Sequence, residues 1–100
     1  MNSTVDPRMI AEIWDVICER AGNPKPESYT TRLLTDKKGI DKVLEKVGEE
    51  STEFILAIKN GVNERTVEET ADLLFHILVA LRAAEIDLND VMKELEHRRK

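Results

Sequence analysis

Apolar residues recur at three- and four-residue spacing along most of this chain, the period of an amphipathic helix. Ile10, Ile13, Trp14, Ile17 and Cys18 form the first such stripe. It opens at Asp6-Pro7, a capping residue followed by proline at the first helical position, and closes near Gly22. The segment from Gly22 to Glu27 holds Pro24 and Pro26 and reads as a turn, after which Ser28 caps a short helix from Tyr29 to Leu34. Thr35 to Gly39 is a loop carrying Lys37 and Lys38. A long helix follows from about Ile40 to Asn60, with Ile40, Val43, Leu44, Val47, Phe54, Ile55 and Ile58 expected on its core side and Gly61 closing it in a left-handed conformation. Asn63 is expected to cap a third long helix reaching about Ala84. Asp87 is expected to cap a last short one, with Val91, Met92 and Leu95 turned inward. No alternating strand pattern, internal repeat or low-complexity tract interrupts this series. The pattern predicts an all-α helical bundle forming one domain over residues 1–100.

The third long helix stands apart. From Leu73 to Leu81 it is apolar on almost every side except at His76, which predicts burial all round. So short a chain has few helices of its own to cover such a rod. The expectation is a bundle completed by a homodimer, with this helix near the contact; the alternative is a helix sandwiched centrally within one monomer.

Composition narrows the function. Twenty Asp and Glu against fifteen Lys and Arg give a net charge of −5, which argues against general nucleic-acid binding. The basic tail His97-Arg98-Arg99-Lys100 reads as a frayed, solvated helix end. No stretch approaches the roughly 20 apolar residues of a membrane span. Met1 to Asp6 has neither the basic start nor the apolar run of a secretory signal. Cys18 has no internal disulfide partner, which fits a reducing compartment and a small core side chain. A cytoplasmic protein is expected.

Two acidic phrases carry the chemistry: Glu49-Glu50-Ser51-Thr52-Glu53 and Glu68-Glu69-Thr70-Ala71-Asp72. Carboxylates three apart on a helix point the same way, since each residue turns the chain by roughly 100°. Glu50 and Glu53 therefore form the better pair on one helix, with Glu49 turned aside, and Glu69 and Asp72 pair on the next, sharing a stripe with His76. Four such carboxylates brought together need a cation, a proton or bulk water between them, and as hard oxygen donors they suit Mg²⁺ or Mn²⁺. The competing reading is a solvated charged face on a non-catalytic helical dimerisation module, with Lys42 and Lys46 as helix-stabilising partners. Spacing alone leaves both open.

The order of the phrases adds a resemblance. Ser28-Tyr29-Thr30 with Leu33, then Lys42, Lys46-Val47-Gly48-Glu49-Glu50 and Glu53, then Glu69-Thr70-Ala71-Asp72-Leu73-Leu74 with His76, resembles the phosphoribosyl-ATP pyrophosphatases of histidine biosynthesis. The likeness runs from about Ser28 to Arg98. It lies within the MazG-like all-α nucleoside triphosphate pyrophosphohydrolases, whose mark is an EExxE phrase followed by ExxD. Ser51-Thr52, where the family more often has small apolar residues, and Phe75, where it often has Tyr, depart from the pattern without touching an acid.

The resemblance implies Mg²⁺-dependent hydrolysis of the α–β phosphate bond of 1-(5-phosphoribosyl)-ATP, giving the monophosphate and pyrophosphate. It implies Glu50, Glu53, Glu69 and Asp72 as metal ligands, and Glu49 or Glu53 as the group that orients or deprotonates water. Ser28, Tyr29, Thr30, Arg32, Lys37, Lys38, Lys42, Lys46 and His76 would face the nucleotide substrate. It also implies a free-standing enzyme, with no room for the cyclohydrolase domain to which this activity is often fused. The nearest rival is a superfamily member acting on ordinary nucleoside or deoxynucleoside triphosphates.

Overall fold

Five helices follow one another in a computed structural model that describes residues 4–99. They are α1 (Arg8–Gly22), α2 (Tyr29–Leu34), α3 (Ile40–Asn60), α4 (Asn63–Ala83) and α5 (Leu88–Arg98), with no strand among the described residues. Met1 to Ser3 and Lys100, and with them the very end of the basic tail, lie outside that range. His97 and Arg98 are still helical, and Arg98 pairs with Glu94 at 2.9 Å.

Local chemistry explains most boundaries. Asp6 accepts the Arg8 amide at 3.0 Å, and Pro7 already has helical backbone angles, so α1 begins one residue later than expected only by assignment. Ser28 accepts the Thr31 amide at 3.2 Å and Asp87 the Asn89 amide at 2.9 Å, as capping side chains do. Gly61, at φ +72°, ends α3 in the left-handed region, where glycine lacks the Cβ that would clash. Asn63 does not cap α4. It lies inside the helix, because the chain reverses so tightly after Gly61 that only extended Val62 precedes the first turn.

The hairpin of α3 and α4 is the main contact of the fold. Helix α1 packs across α4 and α2, and α2 bridges to both long helices. Ile17, Leu33, Val43, Leu78, Val79 and Leu88 form the buried core, drawn from all five helices. Ile10, Ile13, Trp14, Phe75 and Val91 pack against it.

Several apolar residues expected inside are outside. Helix α3 has two apolar stripes. Val43, Val47, Phe54 and Ala57 turn inward, whereas Ile40, Leu44, Ile55 and Ile58 are exposed. Helix α4 is not buried all round, since Leu74 and Ile77 are exposed. On α5, Met92 and Leu95 also face solvent. The Cα radius of gyration of 14.8 Å exceeds the about 13 Å typical of a compact chain this long, in keeping with so much uncovered apolar surface. Among the described residues no helix is long and apolar enough to cross a membrane.

Candidate active site

Glu50 and Asp72 lie equally far from Gly61 along the sequence, so an antiparallel hairpin sets them level with each other. Glu50 belongs to the inward stripe of α3, between Val47 and Phe54, and is half-buried. Glu69 sits one turn before Asp72 and is only 6% exposed. One carboxylate oxygen from each of Glu50, Glu69 and Asp72 lies within 4.8 Å of the other two. Opposite ligands of an octahedral Mg²⁺ are about 4.2 Å apart, so this group is slightly more open than a closed coordination shell. Glu53, the fourth expected ligand, shares Glu69's level but is exposed and lies outside that group.

The electrostatics fit a cation. Burial pushes the Glu69 carboxyl above its ordinary range; Arg65 opposes this, and the charges of Glu50, Asp72 and Glu53 reinforce it. A buried carboxylate crowded by three others is what a divalent ion relieves, and three hard oxygen donors without sulfur suit Mg²⁺ or Mn²⁺. Arg65 was not anticipated. Its guanidinium binds Glu69 at 2.7 Å and Glu68 at 3.4 Å. Its place four residues before Glu69 was the readable signal.

Lys46 holds the other flank. Its ammonium lies 3.1 Å from Glu49 and 3.7 Å from Glu50, and the Glu49 hydrogen bond is the main reason it holds its proton more tightly than a free lysine. Glu49 itself is exposed and turned toward Lys46, so it borders the three-acid group without joining it.

Helix α2 brings the aromatic side. The Tyr29 hydroxyl lies 2.9 Å from His76 Nε2, and His76 Nδ1 lies 2.7 Å from the Asp72 carbonyl. Burial raises the Tyr29 pKa; Lys46 opposes, and Glu50, Asp72 and Glu49 add to the rise, so the phenol keeps its proton. Arg32 stacks its guanidinium over the Tyr29 ring, 5.9 Å from the centroid, and donates to the Glu27 carbonyl at 3.2 Å.

The remaining expected substrate residues are less gathered. Ser28 spends its hydroxyl oxygen on the helix cap, and Thr30 is buried, with little surface to offer a ligand. Lys38 pairs with Glu45 at 3.2 Å, Lys37 is exposed, and Lys42 is half-buried. Beyond Asp72, an apolar groove of about 400 Å³ opens between α1 and α4, walled by Met9, Ile10, Ile13, Leu74 and Phe75.

Comparison with known proteins places this arrangement. Residues 10–99 match the family model described as phosphoribosyl-ATP pyrophosphohydrolase. The chain is 73% identical to a phosphoribosyl-ATP pyrophosphatase of Methanoregula boonei, over 96% of this chain and 92% of that one. It is 60% identical to the enzyme of that name from Methanosphaerula palustris, over 95% and 96% respectively. It is also 45% identical to a histidine biosynthesis bifunctional protein of Gloeobacter violaceus, over 91% of this chain but 40% of that larger protein. With a family model spanning nearly the whole chain and near-full-length relatives of such identity, this protein belongs to the phosphoribosyl-ATP pyrophosphohydrolase family.

Proposed function

We propose that this chain hydrolyses the α–β phosphate bond of 1-(5-phosphoribosyl)-ATP, releasing 1-(5-phosphoribosyl)-AMP and pyrophosphate, as the second step of histidine biosynthesis. Mg²⁺ is the cofactor, with Mn²⁺ able to replace it. The observation that carries the reading is the convergence of Glu50, Glu69 and Asp72 within 4.8 Å, in a chain of this family.

Those three carboxylates would hold the ion, with Glu53 one turn away as a further ligand. The chemistry such an ion supplies when bound is neutralisation of phosphate charge and a lower pKa for water. Glu53, exposed beside the group, orients and deprotonates the attacking water; Glu49 is the alternative base, tied to Lys46 until substrate draws that ammonium away. Lys46 and Arg65, at opposite flanks of the acids, exchange carboxylate partners for phosphate oxygens. Arg32, Lys37, Lys38 and Lys42 add positive charge toward the substrate's phosphates, and Ser28, Tyr29 and Thr30 at the start of α2 form a wall together with His76 of α4. Two copies pair through the exposed apolar stripes of α3 and α4, in the cytoplasm.

The test is pyrophosphate release from phosphoribosyl-ATP, with and without Mg²⁺, beside dCTP, dUTP and ATP. Metal-dependent release from phosphoribosyl-ATP alone is expected. Equal turnover of the simple triphosphates would reassign the chain to general nucleotide pyrophosphohydrolysis, and no release from any would end the reading.

A further inference from the structure

His76 is 4% exposed, its ring set between those of Tyr29 and Phe75 with centroids 5.8 and 5.2 Å away and planes near perpendicular. Both of its nitrogens are occupied. Nδ1 faces the Asp72 carbonyl oxygen at 2.7 Å, and a carbonyl only accepts, so Nδ1 carries the hydrogen. In the neutral imidazole Nε2 is then a bare lone pair, and the Tyr29 hydroxyl donates to it across 2.9 Å. That bond uses the one hydrogen Tyr29 has. Tyr29 is itself 42% exposed, and the charges of Lys46, Glu50 and Asp72 act on its hydroxyl, so its oxygen borders the acids with lone pairs only. A phosphate oxygen, also an acceptor, finds no donor there. A hydroxyl group finds a partner. Lys46, the neighbouring cation, already directs its ammonium at Glu49 and Glu50.

We propose that His76 is a positioning residue that fixes Tyr29 as a hydrogen-bond acceptor at the edge of the carboxylate group, where Tyr29 receives a sugar hydroxyl of the nucleotide rather than a phosphate oxygen. This rests on the nucleotide-hydrolysing reading above and alters one part of it. His76 touches no ligand, and its influence reaches the substrate through Tyr29.

Calorimetric titration of Mg²⁺-loaded protein with phosphoribosyl-AMP, which has sugar hydroxyls, and with inorganic pyrophosphate, which has none, separates the two contacts without needing turnover. Tyr29→Phe keeps the ring and removes the acceptor. It should weaken phosphoribosyl-AMP binding about tenfold and leave pyrophosphate unchanged, the scale of one lost hydrogen bond. His76→Gln places a side-chain carbonyl where Tyr29 can still donate, and should bind like wild type. His76→Leu should match Tyr29→Phe, and the double variant Tyr29→Phe/His76→Leu should be no worse than either single one. Wild-type affinity for phosphoribosyl-AMP in Tyr29→Phe, a loss of pyrophosphate binding in that variant, or additive losses in the double variant would each overturn the proposal. Tyr29 is exposed enough for phenylalanine to leave the fold intact, so Tyr29→Phe decides the question even where His76→Leu fails to fold. Pyrophosphate release by the wild type, measured separately, reports on the reaction itself.

Discussion

The two ends of the α3–α4 hairpin are built on different terms. At the closed end, the start of α3 and the last turns of α4 are packed by α1, α2 and the first turn of α5, and Ile17, Val43 and Val79 lose all or nearly all contact with water. At the other end, the turn and its flanking helices project as an arm. There Ile55 is 62% exposed and Val67 70% exposed, while Ala57 and Glu69 are the buried residues. The three-acid group lies where one regime gives way to the other. Cohesion at the closed end holds the helices in register, and the thinner packing of the arm leaves Glu53 and Asp72 open to solvent. Like-charge crowding at the junction is thus tolerated because stability resides elsewhere.

That division predicts opposite responses to substitution. Glu50→Ala and Asp72→Ala remove a carboxylate from the junction and should lower kcat by about a thousandfold or more, about 4 kcal/mol of transition-state stabilisation. The melting temperature without metal should hold or rise, since each variant relieves repulsion. A variant that kept its turnover would remove that residue from the proposed metal site. One that unfolded would move the junction into the core.

Next in size is the contrast in packing. Ile17→Ala, fully buried, should cost about 3 kcal/mol and lower the melting temperature by at least about 12 °C. Ile55→Ala should cost less than about 0.5 kcal/mol if the arm is solvated. Denaturation of both variants over a range of protein concentrations decides the matter. An Ile55→Ala loss approaching that of Ile17→Ala, and shrinking on dilution, would mean a second copy covers the arm and the comparison holds only for the isolated chain.

How much of this was legible in the sequence depends on the range of the forces involved. Ser28, Gly61 and Asp87 were readable because a cap or a left-handed residue acts within a few positions, and α2 and α3 have the expected ends. Which apolar stripe of α3 faces inward was not readable. Val43-Val47-Phe54 and Leu44-Ile55-Ile58 have equally good helical spacing, and only the direction from which α4 approaches chooses between them. The same limit applies to the acids. The level of Glu50 and Asp72 follows from their symmetry about Gly61, whereas the outward turn of Glu53 is set by helix rotation. Arg65 escaped the sequence reading because the positive charges of interest were those expected to meet phosphate, and this one meets a carboxylate.

A more moderate effect separates binding from chemistry on the Lys46 flank. Lys46→Ala should raise KM about tenfold with kcat nearly unchanged, because a charge that meets phosphate in both ground and transition state contributes uniform binding. A kcat loss at saturating substrate would instead show that releasing Glu49 from its 3.1 Å partner disturbs the reacting groups, drawing the flank into the junction proper.

The smallest effect is the most specific to the crowded carboxyl. Burial, with the charges of Glu50, Asp72 and Glu53 beside it, raises the Glu69 pKa above the ordinary 4.5 despite Arg65. The folded chain therefore keeps this proton at pH values where the unfolded chain has released it. Stability from this source is fully present below pH 4.5 and is lost as pH rises through the elevated folded value. Asp6, whose pKa is lowered by its hydrogen bonds from Arg8, acts in the opposite sense and is lost on acidification, so the overall pH profile mixes the two. The difference between Glu69→Gln and wild type isolates Glu69. Without metal, the variant's melting temperature should equal or trail that of wild type in acid and gain on it as pH rises toward neutrality. Saturating Mg²⁺ should reverse the gain by stabilising only the wild type. A difference independent of pH would mean that Arg65 alone satisfies Glu69, and that the junction carries no strain for a cation to relieve.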